Sequence, residues 1–443
     1  MTASETPIIK RHHVAAAVLG NALEFYDFTT YSFFSIAIGH AFFPKVLAGT
    51  DFGSLMLSLG TFFAGFLLRP VGGIVLGHYA DRAGRRPAML VSFTMMGLAI
   101  LALALIPSYS VIGVAAPALA VLARLTQGFA LGGEVGPSTA YLVEGAPANR
   151  RGLYASWQSA SQSVSAMVGG TVGLLLALNL SPEALDTYGW RVAFTLGALT
   201  LPFGLYIRRQ LPESLHTPDH LPEQEHQGFA AGFATHGRVI VLALFIFIGG
   251  TVATYVLNYM TTFAQNTLHM AAAPSYGATM INGVFGVAAS LAGGILSDIY
   301  GRRVMMVGSR TLFLLLAYPV FMLIVNERST AALLIGTATL SILLNISSGA
   351  FYVAFIEVLP KKVRGGIFGT VYAVAISIFG GSTQAVIAWL IHVTGNPMAP
   401  SWYLVVAIAA SLVAMILMTE SAPARLAKAP FDEEPAPGLP PTA

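Results

Sequence analysis

Long apolar runs separated by short polar loops recur along the whole chain. Those at 14–39, 52–76 and 238–263 each exceed the roughly 20 residues that a helix needs to cross the hydrocarbon core of a bilayer. The pattern predicts twelve helical spans, near 14–39, 53–78, 87–107, 114–144, 151–178, 190–208, 238–266, 276–299, 303–325, 331–358, 364–392 and 402–419. They are numbered here as spans 1 to 12. The first run carries Glu24 and Asp27 and is too long for the apolar core of a secretory signal, so it reads as an uncleaved span.

The loops alternate in charge. One set holds Lys10 and Arg11, Arg82, Arg85 and Arg86, Arg150 and Arg151, Arg208 and Arg209, Arg302 and Arg303, Lys361, Lys362 and Arg364, and Arg425 and Lys428. The other holds only Lys45, Arg191 and Arg328. Excess basic charge on alternate loops predicts that both termini are cytoplasmic, and it agrees with the span count. Residues 209–237 form a long internal polar stretch that divides the spans six and six. The expected organisation is an N-terminal bundle over 1–208, a cytoplasmic linker over 209–237, a C-terminal bundle over 238–420 and a disordered, Pro- and Ala-rich cytoplasmic tail over 421–443.

Two motifs occur twice. The stretch GHYADRAGRR at 77–86 matches GILSDIYGRR at 294–303, an offset of 217 residues (294 against 77). The stretch EGAPANRRG at 144–152 matches EVLPKKVRG at 357–365, an offset of 213 (357 against 144). Unrelated motifs at nearly one offset indicate an internal duplication. Repeated six-helix halves are a mark of transporters that rock around a site near the bilayer midplane. In the first motif Gly84 and Gly301 permit a tight reversal. Asp81 and Asp298 can pair with the neighbouring Arg82, Arg85, Arg86, Arg302 and Arg303, or accept hydrogen bonds from a helix end. The second motif contributes Glu144, Arg151, Glu357 and Arg364. These residues are either topology anchors or a cytoplasmic latch that forms in one conformation and breaks in the other.

Composition narrows the picture. The 443 residues are 55% hydrophobic and only 10% charged, where a soluble domain is about a quarter charged. The chain is therefore a polytopic, all-helical integral membrane protein. Cysteine is absent, which excludes disulfides and thiolate chemistry. The formal charge of +3 is spread over short loops rather than gathered into a nucleic-acid footprint. No H-E-x-x-H spacing and no phosphate-binding loop appears, so neither a metal site nor an enzyme is expected.

The duplicated loops resemble the signature of the major facilitator superfamily. More narrowly, LEFYDF (23–28), FLLRPVGG (66–73), RLTQGFALGGEVG (124–136), EGAPANRRG and FGGSTQAVIAWLIHVTG (379–395) resemble the metabolite:proton symporter family. SWQSASQ (156–162) brings the chain closest in look to the citrate and tricarballylate:proton symporters. The resemblance covers nearly everything except linker and tail. It implies two pseudo-symmetric six-helix bundles in a bacterial inner membrane, alternating access, the proton as coupling ion with no other cofactor, and a monomer that takes up a small organic acid. Relatives in that family also carry 2-oxoglutarate, shikimate, proline or betaine.

Ionisable groups inside spans are costly and are functional candidates. Glu24 and Asp27 in span 1, Arg69 in span 2, and Arg124 and Glu134 in span 4 are placed well inside, and the C-terminal half is expected to hold none at comparable depth. Three carboxylates against two guanidiniums leave a formal −1, which would repel an anion until an acid is protonated. Proton and anion binding should then reinforce each other. Asp27, then Glu134, then Glu24 are the candidate proton carriers; the alternative for each is a permanent pairing with Arg69 or Arg124. The two arginines are the candidate carboxylate ligands, because a guanidinium fork donates two parallel hydrogen bonds.

Polar stripes at helical spacing run along span 5 (Gln158, Ser161, Gln162, Ser165), span 7 (Thr251, Thr254, Tyr255, Asn258, Thr262) and span 10 (Asn345, Ser348, Tyr352). Such faces meet either a wet cavity or another helix. The resemblance implies that spans 1, 4, 7 and 10 line the cavity with span 5 adjoining it. On that basis Gln158, Gln162, Tyr255 and Asn258 are candidate neutral ligands. Gly128, Gly132 and Gly136 form small-xxx-small steps that would let span 4 approach a neighbour closely.

Overall fold

The structure is a computed structural model; it describes residues 11–83, 85–132, 135–199, 202, 235–360 and 364–422. No strand occurs among them. Each predicted span corresponds to a helix or to two helices in line. Eight are long and apolar enough to cross a bilayer on their own: spans 2, 5 and 7 to 12. The others among the described residues are shorter or interrupted. Span 3 has an apolar core over Leu90–Leu105, and span 6 is described as Trp190–Leu199. The expected linker and tail lie almost wholly outside the described residues.

Several spans are broken where function was expected. Span 1 runs as Arg11–Phe33 and Ser35–Phe42, offset at Phe34. Span 2 is interrupted at Leu68, between Asp51–Leu67 and Arg69–Ala83. Span 4 breaks between Ala115–Ala130 and Val135–Glu144. Span 11 contains a π-turn, Ile376–Gly380, between Arg364–Ala375 and Gly381–Thr394, ending at the Gly380–Gly381 pair. Breaks of this kind free backbone groups and re-aim side chains, and they concentrate at binding sites in transporters.

Close helix contact depends on missing side chains. A Cβ on Gly128 would stand 1.5 Å from the Gly65 carbonyl oxygen, and one on Gly132 would stand 2.2 Å from that of Arg69. Spans 2 and 4 therefore touch backbone to backbone, as the small-residue spacing predicts. Spans 5 (Arg151–Asn179) and 8 (Ala272–Tyr300) cross between the two halves in the same way. There Gly170 faces Met280, and Gly283 faces Met167. The core is strongly aromatic, with Phe28, Phe62, Phe66 and Tyr31 packed on one another inside the first half.

Candidate functional site

Asp27 and Arg124 are both fully buried. Arg124 Nη1 donates to Asp27 Oδ2 at 2.8 Å and to Gln127 Oε1 at 2.5 Å, while Gln127 Nε2 donates to Asp27 Oδ1 at 3.3 Å. The three-residue spacing of Arg124 and Gln127 puts them on one face of span 4, so a single carboxylate on span 1 engages both. Arg124 also lies over the rings of Phe28 and Tyr31, 4.3 and 4.5 Å from their centroids. Arg69 lies over Phe28 and Phe66 at 4.4 and 4.2 Å. Phe28 is thus flanked by two guanidiniums, an arrangement that ring quadrupoles favour. Glu24 is buried and close enough to Arg69 to act on its charge. Glu134 lies outside the described residues.

A cavity opens on the other side of Phe28, between the halves. Its walls are Phe25, Phe28 and Thr29 of span 1, Ser159, Gln162 and Ser163 of span 5, Thr251, Thr254, Tyr255 and Asn258 of span 7, Asn282 of span 8, Arg310 of span 9, Asn345, Ser348 and Tyr352 of span 10, and Tyr372 of span 11. The structure brings three predicted ligands together there: Gln162, Tyr255 and Asn258. Gln162 Nε2 donates to the Tyr372 hydroxyl across the halves at 3.4 Å. Gln158 is not in the wall. It donates to Asn21 Oδ1 at 3.1 Å and accepts from Ser138, joining spans 1, 4 and 5. Ser161 and Ser165 likewise turn to span 1. Arg69 and Arg124 are not in the wall either; both stand behind Phe28.

The C-terminal half does hold an ionisable side chain at depth, which corrects the sequence expectation. Arg310, on Arg302–Glu327, is 1% exposed and lines the cavity. It stands eight positions past Arg302 and inside predicted span 9, about 12 Å along the helix, where no ionisable group at depth was expected. Adding Arg310 to the formal count sets the three carboxylates of the sequence expectation, Glu134 among them, against three guanidiniums, so the fully ionised set is neutral rather than −1. Protonating one acid still moves it to +1, so proton and anion binding would still reinforce each other.

The loop motifs do join the halves. Asp298 accepts from the backbone N–H groups of Gly152 and Leu153 at 2.9 and 3.1 Å, capping the start of span 5. It is held there by Arg302 Nη1 at 2.5 Å. Arg302 also donates to Glu357 through Nε and Nη2 at 3.2 and 3.1 Å. Glu144 of the first half stands 3.4 Å from Arg364 of the second. Arg151 is buried at the same seam. Arg303 is exposed and donates to the Ile416 carbonyl at 2.5 Å. Sequence reading did not include Glu420, whose carboxylate accepts from the backbone N–H of Arg302 and Arg303 at 2.9 and 3.0 Å. The side chains of Asp81, Arg82, Arg85 and Arg86 lie outside the described residues. At the opposite end the halves also touch. Phe52 stacks on His392 at 3.7 Å, and the Ser35 and Thr262 hydroxyls are 3.0 Å apart. The cavity therefore has contacts between the halves on either side of it.

Comparison with known proteins gives this geometry a family. The Major Facilitator Superfamily family model matches residues 18–382. The chain is 36% identical over 399 residues to the citrate-proton symporter of Klebsiella pneumoniae, covering 89% of this chain and 88% of that one. It is 35% identical over 409 residues to the alpha-ketoglutarate permease of Escherichia coli, covering 91% and 93%. In shape it matches the crystal structure of a D-xylose-proton symporter, with a TM-score of 0.74 at 18% identity over 93% and 97% of the two chains. The broken spans, the duplicated loops and the cavity between two six-helix halves accordingly belong to a multi-pass membrane transporter, and the chain is a member of the major facilitator superfamily.

Proposed function

We propose that the chain is a proton-coupled symporter that takes up a small di- or tricarboxylate, citrate or tricarballylate, by alternating access. The observation that carries the reading is the wholly buried Asp27–Arg124 pair, one ring away from the cavity. With Asp27 ionised, the pair is neutral and Arg124 is spent on its own carboxylate. A proton on Asp27 frees the positive charge of Arg124, which then acts across Phe28 on whatever occupies the cavity. An anion and a proton each make the other's binding more favourable, which is the thermodynamic content of symport. The identity to a citrate-proton symporter supports the substrate class.

In this reading Asp27 carries the proton, with Glu24 and Glu134 as further candidates. Gln162, Tyr255 and Asn258 contact substrate, and Asp298, Arg302, Glu144, Arg364 and their partners latch the cytoplasmic end while the other end opens. The permease relative keeps 2-oxoglutarate as a second candidate substrate. Uptake of labelled citrate into proteoliposomes tests the function. Uptake driven by an inward proton gradient is expected. Uptake indifferent to the gradient would remove the coupling, and no uptake across citrate, tricarballylate, 2-oxoglutarate and shikimate would remove the substrate class.

A further inference from the structure

Among the cavity's wall residues one side chain is charged, and it comes from span 9 rather than from any helix that the sequence singled out. We propose that Arg310 is the carboxylate ligand of the substrate, and that it sets the requirement for an anionic one. The inference rests on the reading of the chain as a carboxylate transporter and deepens it.

Three observations carry it. First, Arg310 is 1% exposed, and among the described residues its Nε and Nη1 have no hydrogen-bond partner and no ion pair. An isolated buried cation is costly until an anion meets it. Second, the cations of the first half stand outside the cavity wall. Arg124 is paired with Asp27, and Arg69, whose Nε and Nη2 also lack a hydrogen-bond partner among the described residues, lies over two phenyl rings behind that wall. Third, the surroundings are neutral and polar. Gly250 leaves open the space beside the Arg310 guanidinium, where a Cβ would stand 3.8 Å from Nη2. Asn345 and Ser348 line the same wall, with Gln162 contributed by the other half. Asn345 Oδ1 already accepts from Ser163 and Ser290, so it draws the halves together at this point.

A carboxylate is the group that matches a free guanidinium fork, through two charge-assisted hydrogen bonds. Its placement also has a mechanical consequence. The anion would be held by the C-terminal half while the coupling pair sits in the N-terminal half. The loaded substrate therefore senses both halves, and charge released from Arg124 acts on an anion already anchored to Arg310.

The test compares wild type with Arg310→Gln and Arg310→Lys, in proteoliposome uptake and in thermal unfolding of purified protein with citrate or its neutral trimethyl ester. Citrate should stabilise the wild type and the ester should not. Arg310→Gln should raise the KM for citrate at least about tenfold, the loss expected when charge-assisted hydrogen bonds are removed. It should also abolish citrate stabilisation while leaving the ligand-free midpoint equal or higher, since an uncompensated cation has been removed. Arg310→Lys should recover part of the affinity. A purely structural arginine would instead lower the ligand-free midpoint with affinity kept, and that result overturns the proposal. So does an Arg310→Gln protein that binds citrate as wild type does, or a wild type stabilised equally by the ester. A wild type that binds no carboxylate overturns the proposed function together with this inference.

Discussion

Asp27→Asn isolates the coupling step, because an amide has the shape of a protonated carboxyl and cannot ionise. In the structure Asp27 and Arg124 have no exposure at all, and the carboxylate takes one hydrogen bond at 2.8 Å from Arg124 and one at 3.3 Å from Gln127. Removing one charge from a buried pair costs about 3–5 kcal/mol, and the hydrogen bond that an amide oxygen retains offsets about 1 kcal/mol. The ligand-free protein should therefore lose about 2–4 kcal/mol. The same quantity opposes protonation in wild type until an anion offsets it, and under the proposed function this conditional protonation is how the pair would couple two fluxes. With the membrane potential clamped and the outside one pH unit more acidic, each proton carried inward supplies about 1.4 kcal/mol, a tenfold accumulation. Wild-type proteoliposomes should reach at least that ratio with labelled citrate. Asp27→Asn should stay near equal concentrations on the two sides while still exchanging internal for external substrate. An Asp27→Asn protein that still concentrates citrate tenfold refutes the reasoning, and the same assay on Glu24→Gln then shows whether Glu24 carries the proton.

Three further outcomes follow from the geometry. Asp298→Asn removes the charge that caps Gly152 and Leu153 and pairs with Arg302, so maximal uptake velocity should fall several-fold while the KM for citrate stays within about twofold, a split read from initial rates. Gly128→Leu places carbon against the Gly65 carbonyl, where even a Cβ would stand at 1.5 Å; the folded yield on size-exclusion chromatography should collapse, since overpacking by a single methylene already costs about 1–3 kcal/mol. His40, one residue past the predicted end of span 1, and Asp186, four before the predicted start of span 6, pair at 3.0 Å, which raises the His40 pKa through the hydrogen bond to Asp186. A raised folded pKa means stability that is fully present below the ordinary histidine pKa and lost as pH climbs through the folded value. Comparing wild-type and His40→Gln melting at pH 5.5 and pH 9 should show a gap of under about 1 kcal/mol at the lower pH, because both groups are exposed, and none at the higher.

Span number, duplication and family were legible along the chain because each is written in local pattern. Apolar length, the alternation of basic loops and two motifs at offsets of 217 and 213 need no knowledge of packing. The small-residue steps Gly128 and Gly132 announced a close helix contact for the same reason: a missing side chain has the same consequence wherever the partner lies. Partnership was another matter. Asp27 and Arg124 are 97 residues apart, and sequence alone left open whether Arg124 met substrate or an acid. Gln158 and Gln162 sit one turn apart on the same helix, yet Gln158 bonds to Asn21 while Gln162 faces the cavity. A few tens of degrees about the helix axis separate those fates, and the neighbouring helices set that rotation.

Arg310 shows the limit most plainly. Its position eight residues beyond a basic loop motif marks it neither as loop nor as site, because depth along a helix and direction around it are both needed to say what a long side chain reaches. By itself the chain of apolar runs and charged loops determined a duplicated membrane transporter and named the residues with chemistry to offer. Only the packing of twelve spans decided which charges cancel in pairs and which one is left facing the cavity, since the electrostatic role of a buried group depends on what lies within a few ångströms of it.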